Sequence, residues 1–235
     1  MKKAIITFLI ISSCISVLKA QTSEFSVQAN TGLSHFFGTG TLNSTFLNAD
    51  DQQHTGYPNG SGNKNAVIFG GNIQWQYTFK CNFLLGLQAG YEALGSKINI
   101  SSVYSEGVPM PATGSFTEHL NYINLNPFIG YRFDVDKVHL DVMPGLDIAL
   151  GLNSKLTGKA VTNNNVVYSP SSVINGKPDD DVRIRLGLAA YYQRFGIIAS
   201  YSRGLADFNS GEIADAPVPA MHLEAFRLGV SYRIK

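Results

Sequence analysis

The residues from Val138 to Asn153 alternate between two kinds of side chain. One side is apolar and consists of Val138, Leu140, Val142, Pro144, Leu146, Ile148, Leu150 and Leu152. The other side is small, polar or acidic and consists of His139, Asp141, Met143, Gly145, Asp147, Ala149, Gly151 and Asn153. Because successive side chains of a β-strand point to opposite faces, this pattern predicts a strand between two environments. The apolar side exceeds the roughly 9–11 residues that a tilted strand needs to cross a bilayer, which predicts a membrane span with a wet interior.

The same alternation recurs along the chain. The predicted strands are 25–36, 66–79, 83–95, 119–133, 138–153, 182–193, 195–205 and 222–234. The short connections between them are 80–82, 134–137 and 194, and the long ones are 37–65, 96–118, 154–181 and 206–221. Short turns at one end and long loops at the other are typical of outer-membrane barrels. The sequence therefore predicts an all-β fold, a closed antiparallel transmembrane β-barrel of about eight strands with its long loops outside the cell.

The composition of the two faces supports this fold over a soluble sheet. Glycines lie on the polar face, at Gly32, Gly70, Gly86, Gly90, Gly130, Gly145, Gly151, Gly187 and Gly229. A soluble β-sandwich or a lipocalin would carry Lys, Glu and Thr there, whereas a narrow barrel needs room inside for its own charged side chains. Aromatic residues gather at the short turns, as a membrane-interface girdle does: Tyr77, Phe79, Phe83, Tyr131, Phe133, Tyr192, Phe195 and Tyr232. Pro127 and Pro144 lie inside strands, and we expect local bulges at both.

The first twenty residues have the features of a signal peptide. Lys2 and Lys3 precede a short apolar segment, and Ala20 ends a plausible cleavage site. The predicted organisation is a signal peptide, 1–20, followed by an outer-membrane barrel domain, 21–235. A competing interpretation places a lipidated cysteine at Cys14, and the sequence leaves this open.

Charge and cysteine content exclude several classes of protein. Cleavage after residue 20 leaves 15 Lys and Arg against 17 Asp and Glu, a net charge of −2. No basic excess indicates a nucleic-acid partner. Cys81 is then the single cysteine, so no internal disulfide can form. The expected surroundings are the lipid bilayer and outer-membrane lipopolysaccharide, with a possible protein partner at the loops, and we expect a monomer.

The inward-facing charges are the principal candidate site. They are Glu92, Asp141, Asp147, Arg132, Arg183, Arg185, Arg227 and Arg233. One interpretation is a gate or ion path. The alternative, which we adopt, is a structural lumen charge network that fills the barrel, because the interior of an eight-stranded barrel is occupied by side chains. A salt bridge between Asp147 and Arg183 or Arg185 is expected, since all three point inward at a similar height.

Other polar clusters suggest chemistry less strongly. His35, His119 and His222 lie near the outer strand ends, with Glu118 and Glu224 close by, as a lipid A-modifying enzyme would need. Asp50 and Asp51 with His54, and the run 179–181, are carboxylate clusters in predicted loops that could bind Ca²⁺, but they lack the spacing of a calcium loop. We predict no catalytic, cofactor-binding or metal-binding residue.

Several segments resemble one family. The run from Tyr122 to Pro127 continuing to Phe133, the segment 181–188, the segment 201–205 and the segment 226–233 are similar to strands of the PorT-like outer-membrane β-barrel proteins of Bacteroidota. The leader ending in Gln21 also looks like that phylum's. The resemblance implies an outer-membrane barrel and says little about activity, because a fold does not fix a function.

Three functions are therefore open at this point. The first is a non-enzymatic outer-membrane barrel that acts by binding or structure through its extracellular loops. The second is an accessory subunit of a secretion or surface-assembly complex, which the family resemblance implies. The third is a lipid A-modifying outer-membrane enzyme.

Overall fold

The computed structural model describes residues 22–105, 107–171, 176–208, 212–213, 216–217 and 219–234. The predicted leader and Cys14 lie outside them. The strands are β1 (Thr22–Phe37), β2 (Thr41–Leu42), β3 (Ser44–Asp50), β4 (Thr55–Pro58), β5 (Ser61–Gly62), β6 (Lys64–Thr78), β7 (Phe83–Ser105), β8 (Val108–Val135), β9 (Val138–Thr162), β10 (Val167–Pro170), β11 (Asp181–Tyr192), β12 (Phe195–Gly204), β13 (Glu212–Ile213), β14 (Ala216–Pro217) and β15 (His222–Arg233). Within the described residues, no helix is long and apolar enough to cross a bilayer.

The long strands pair side by side in one sheet, in the order β7, β6, β1, β15, β12, β11, β9, β8. Strand β8 also pairs with β7, and every one of these pairings is antiparallel. The register offset around this ring of strands is ten residues. It is found by starting at Ser34 in β1 and moving from each residue to its partner on the next strand, which ends at Glu24 in β1. For eight strands, this offset corresponds to a tilt of about 40°, within the usual range for barrels.

The predicted facing of β9 is confirmed from Val138 to Leu152 and is wrong at Asn153, which is exposed and pairs with the outward-facing Asn121 after a shift of register. Leu140, Leu146 and Leu150 are exposed on the outer surface, whereas Asp141 and Asp147 are buried inside. The outer surface of the long strands is thus apolar and the lumen is polar, the reverse of a soluble protein.

Tight connections join the long strands at one end, which we call the lower end. These turns are 79–82, 136–137 and 193–194, and each contains one residue with positive φ: Asn82 (61°), Asp136 (54°) and Gln193 (55°). Asn and Asp adopt this left-handed conformation more easily than most residues. The predicted short turns are confirmed in position.

Three of the four predicted long loops, 37–65, 96–118 and 154–181, are wrong in part because they contain strands. Strands β7 and β8 continue upward through 96–105 and 108–118, and β9 continues to Thr162. Part of the fourth predicted loop, 206–221, lies outside the described residues. Strand β3 pairs with the upper part of β7, β4 pairs with β3, and β10 pairs with both β4 and β9. A second, smaller ring of pairings therefore stands above the first: β7, β3, β4, β10, β9 and β8. We call this part the extension, comprising β3, β4 and β10 with residues 96–105, 108–119 and 155–162.

The extension was missed because its alternation has the opposite sense. In the lower part of β7, apolar Leu85 and Leu87 face outward, whereas farther up Ile98 and Ile100 face inward. The interior of the extension is an apolar core that consists of Leu47, Ile98, Ile100, Val103, Ala112, Phe116, Ala160 and Tyr168. Its outer surface carries side chains such as Lys155 and Lys159, which are exposed. The extension therefore has an apolar interior and a polar outer surface, as a soluble protein does. The lower parts of the same strands have an apolar outer surface.

The bulges expected at the two prolines are absent. Pro144 pairs with Leu186 without a shift of register, and the register of β8 with β9 is the same on both sides of Pro127. That register places Pro127, which has no N–H, opposite Leu146. The Asn126 side-chain amide donates to the Leu146 carbonyl at 2.8 Å. A side-chain donor thus replaces the missing backbone donor, and the strand needs no bulge.

Candidate functional site

The lower half of the lumen contains two acids and two arginines, which we call the lower cluster: Glu24, Asp141, Arg132 and Arg233. Arg132 Nε lies 2.7 Å from Asp141 Oδ1, and Arg132 Nη2 lies 2.8 Å from Glu24 Oε2. Arg233 Nη2 lies 3.3 Å from Asp141 Oδ2, and Arg233 Nε lies 3.4 Å from Glu24 Oε2. Each arginine bridges both acids, so the cluster has no net charge.

A second group of charges lies higher in the lumen, and we call it the upper cluster. Its members are Glu92, Asp147, Asp181, Arg183, Arg185 and Arg227. Arg185 Nη1 lies 3.0 Å from Asp147 Oδ1, and Arg183 Nε lies 2.9 Å from Asp181 Oδ2. Arg227 Nη2 donates to Glu92 Oε2 at 2.9 Å and lies 3.5 Å from Asp147 Oδ2. Three acids face three arginines, so this cluster is also neutral.

Neutrality within each cluster is what burial requires. Asp147 and Arg183 are fully buried, and an unpaired charge there would cost several kcal/mol. The cavities beside Arg185 measure about 20 and 10 Å³, which is room for roughly one water each. The described part of the lumen is therefore filled around these charges.

A chain of amide side chains extends from the lower cluster into the lumen. Gln28 and Gln88 each donate to Gln74 Oε1 at 2.7 Å, and Gln74 donates to Gln76 Oε1 at 2.7 Å. Gln76 in turn donates to Asp141 Oδ2 at 3.2 Å. The polar filling is therefore continuous from the lower cluster toward the centre of the lumen.

Aromatic rings, rather than arginines, occupy the space that some inward glycines leave. A Cβ on Gly86 would lie 2.2 Å from the ring of Phe128, and a Cβ on Gly196 would lie 2.5 Å from the ring of Tyr191. Both rings belong to an apolar cluster in the lumen with Leu84, Met143, Ala189 and Ile198. The expectation that the glycines make room for charges is therefore incorrect at Gly86, where the neighbour is Phe128.

Two acids of the lumen, Asp181 and Glu24, were not predicted to lie there. Asp181 was grouped with the loop acids Asp179 and Asp180, but only 1% of its surface is exposed and it lies in the upper cluster. Glu24 precedes the predicted first strand, yet β1 begins at Thr22 and turns Glu24 into the lumen. The alternation along the strands could have predicted both positions. Asp181 is two residues from Arg183 and Glu24 is four residues from Gln28, so each shares the inward face of its strand.

The three histidines at the outer strand ends do not come together. His119 Nε2 contacts Thr157 Oγ1 at 2.9 Å, and His222 Nδ1 contacts the Ala206 carbonyl at 2.8 Å. His35 Nε2 lies 3.9 Å from Glu224 Oε2. Each histidine has its own local partner, and within the described residues no hydrogen bond joins one of them to a serine.

The acids around residue 50 hold the top of the extension together. Asp51 accepts hydrogen bonds from Ser105 at the end of β7 and from Tyr168 in β10, the latter at 2.6 Å. These bonds, Ser105 first, lower the pKa of the Asp51 carboxyl, whereas burial and Asp51 raise the pKa of Tyr168 to about 12. No group of three or more potential metal-binding side chains occurs among the described residues.

A cavity of about 280 Å³ opens at the base of the extension. Its walls come from β7, β8 and β9 on one side and from residues 57–62 on the other. One carboxylate lines it, that of Glu118, and desolvation by burial raises the pKa of this group. Glu118 was predicted only as a neighbour of the histidines, but His119 points to the opposite face of β8.

Comparisons with known proteins identify no family for this chain. No family model matches it, and no curated protein matches it. Among solved structures, Ail of Yersinia pestis in complex with the heparin analogue sucrose octasulfate has a TM-score of 0.37 at 16% identity, over 91% of this chain and 99% of Ail. Neisserial surface protein A has a TM-score of 0.37 at 10% identity, over 90% and 98%. The translocator domain of the autotransporter NalP from Neisseria meningitidis has a TM-score of 0.23 at 12% identity, over 99% and 96%. Such low similarity says nothing of what this chain binds.

Proposed function

We propose that this chain is an integral outer-membrane protein whose long strands form a closed eight-stranded barrel with a plugged lumen. It acts without catalysis, by binding or structure, through the extension, which stands outside the cell. The observation that carries the proposal is the inversion of the two faces along β7, β8 and β9. An apolar outer surface below and an apolar interior above fit one strand that passes from lipid into water.

Aromatic and polar residues on the outer surface support two limits for the proposed lipid-facing surface. At the lower end, aromatic rings pack in pairs on the outer surface, with Tyr131 and Phe133 at 4.9 Å and Phe195 and Tyr232 at 5.2 Å between centroids. Such a girdle fits the membrane interface.

The upper limit is marked by polar groups on the same surface. The hydroxyl of Tyr91 donates to Asn121 Oδ1 at 2.6 Å, and Asn121 donates to Asn153 Oδ1 at 2.7 Å. Above this row, β7, β8 and β9 carry Lys97, Thr117 and Lys155 outward.

A plugged barrel is favoured over a channel because the lumen charges neutralise one another. An ion path needs a wet opening lined by charges that are free to meet an ion, and the lower cluster instead engages each carboxylate with two arginines. We propose that both clusters are structural, and that the lipid bilayer with its lipopolysaccharide surrounds a monomer. Membership of the PorT-like family, on the residues given above, is part of this proposal.

A non-enzymatic role is favoured over lipid A modification because the histidines are dispersed. His119, His222 and His35 lie on different strands, each beside a different partner. A catalytic base needs a nucleophile or water positioned beside it and a group that orients it. No observation favours a secretion-complex subunit over a free-standing barrel.

Labelling on intact cells tests the placement. Cys81 lies exposed in a lower turn, and Thr113 is exposed on the outer surface of the extension. A membrane-impermeant maleimide should label Thr113→Cys, made in a Cys81→Ser background, on intact cells. It should label the native Cys81 only after the outer membrane is opened. The opposite result would invert the orientation, and recovery of the protein in the soluble fraction would exclude the barrel.

A further inference from the structure

The cavity at the base of the extension has one acidic group in an otherwise weakly polar wall. Its apolar lining comes from Ile98, Phe116 and Leu156 on the barrel side. Tyr57 and Pro58 line the side facing them. The Ser96 hydroxyl is already used, since it donates to the Gly62 carbonyl.

Glu118 differs from the other inward-facing acids. Glu24, Glu92, Asp141, Asp147 and Asp181 each contact at least one arginine. Glu118 faces inward on β8, between Ser96 and Leu156 on the neighbouring strands, and no hydrogen bond or ion pair reaches its carboxylate from the described residues. Its side chain lines the cavity and is half-buried. A carboxylate that is partly removed from water and has no partner favours the binding of a cation.

The walls determine what kind of cation fits. A metal ion such as Ca²⁺ needs about six oxygen ligands and usually several carboxylates, whereas Glu118 is the one carboxylate in this cavity wall. A sugar needs many donors and acceptors, and besides Glu118 the polar side chains of the wall are those of Tyr57, Ser61 and Ser96. An ammonium group carried on an apolar body satisfies both parts of the cavity, because the carboxylate binds the charge while Leu156 and the exposed ring of Tyr57 contact the body. The volume restricts the ligand to a small molecule.

We propose that this cavity is a binding site for a small organic cation, an amine with an apolar body, held by Glu118. The inference rests on the proposed extracellular position of the extension, because the ligand then arrives from the medium. Glu118 fixes the ammonium group, and Tyr57 and Leu156 select for the apolar part. The extension would then bind small organic cations, a class of ligand that the barrel fold alone does not predict.

Isothermal titration of the full chain in lipid nanodiscs tests the inference with two probes of equal shape. The probe 2-phenylethylamine is cationic, and 2-phenylethanol is neutral. The wild type should bind the amine saturably, and Glu118→Gln should bind it at least tenfold more weakly. The alcohol should bind both proteins equally weakly. Glu224→Gln, which removes a carboxylate from the outer surface of β15, should bind the amine as the wild type does.

A second variant tests whether binding needs the volume of the cavity as well as the charge of Glu118. Leu156→Trp fills the cavity and leaves Glu118 in place, so it should also lose amine binding, and the gel shift between folded and heat-unfolded barrel verifies that each variant has folded. Equal amine binding by wild type and Glu118→Gln, or no saturable binding by the wild type, would overturn the inference. If Thr113→Cys is still labelled on intact cells in that case, the ligand is wrong while the proposed barrel stands.

Discussion

Each acid in the lumen lies within hydrogen-bond or ion-pair distance of an arginine. Most of these arginines are distant in the sequence, whereas Arg183 is only two residues from Asp181. Glu24 and Arg132 are 108 residues apart, and Glu92 and Arg227 are 135 apart. Such pairs require the whole sheet to be in register before either charge is satisfied. The clusters therefore favour one register over others, in addition to filling the lumen.

The upper cluster predicts the effect of neutralising one of its acids. Asp147→Asn leaves Arg185 without its carboxylate, while Arg227 keeps Glu92. Loss of a buried partner costs about 3–5 kcal/mol, and because Asn still accepts a hydrogen bond we expect about 1–3 kcal/mol. The measurement is the urea midpoint of the gel shift between folded and unfolded barrel. Asp179→Asn, an exposed acid in the loop before β11, should keep the wild-type midpoint, and equal midpoints for all three proteins would refute the pairing.

At the top of the extension, Asp51 predicts a pH effect. Its carboxyl pKa is lowered in the folded state by Ser105 and Tyr168, so the stability it contributes is present above its unfolded value of 3.8 and is lost as the pH falls through the lower folded value. The Asp51 side-chain carbon should therefore titrate below 3.8 by NMR. Tyr168→Phe removes one donor and should raise that midpoint, whereas Tyr57→Phe should leave it unchanged. A midpoint that does not respond to Tyr168→Phe would contradict the assigned bond.

At the scale of the strand, one element carries two opposite patterns. On β7 the large apolar residues other than Leu84 occupy odd positions up to Tyr91 and even positions from Leu94 to Ile100. On β9 a shift of register near Asn153 accompanies the same change of environment. A strand can therefore change surroundings along its length without ending, provided that the parity of its apolar positions changes where the surroundings do.

The strands of the lower part were predictable because they have an apolar outer face, and the extension was missed because its strands lack one. A lipid-facing strand repeats every second residue over a fixed length, so the positions of the long strands and of the tight turns were predictable. The upper parts of β7, β8 and β9 lack an apolar outer face and carry polar side chains typical of loops. The contact of Asp51 with Tyr168 joins residues 117 apart, and nothing in the local pattern specifies it.

A pair of substitutions tests the two patterns directly. Leu146→Arg places a charge on the outer surface of β9 midway between Leu140 and Leu152, where it meets lipid, and should cost about 2–4 kcal/mol. Thr113→Arg places the same side chain on the outer surface of β8 in the extension, where it meets water, and should change the free energy of unfolding by less than about 0.5 kcal/mol. Urea unfolding in lipid vesicles measures both. Equal costs would show that the outer surface does not change its surroundings between the two heights.

At the scale of the whole molecule, two closed sets of strands share β7, β8 and β9. The lower set is filled by two neutral charge clusters, and the upper set is filled by an apolar core around Phe116 and Tyr168. Between them lies another apolar cluster, which includes Phe36, Leu94, Leu120 and Leu223 and closes the top of the lumen. Charge, amide and apolar layers thus succeed one another along the axis.

This layering predicts that the protein does not conduct ions. An ion entering from the lower end meets arginines already paired with acids, then cavities of about 10 to 20 Å³, and then the apolar cluster that contains Leu94 and Leu223. An eight-stranded interior has little more room than its side chains fill. Planar-bilayer recordings of the folded wild type should therefore stay at the baseline under voltage, with no large stable steps. A variant that loses Arg132 and Asp141 together removes the centre of the lower cluster and leaves the apolar layers, so it should remain silent as well. Stable porin-like steps from the wild type would show that the lumen opens, and the plugged barrel would have to be abandoned for a channel.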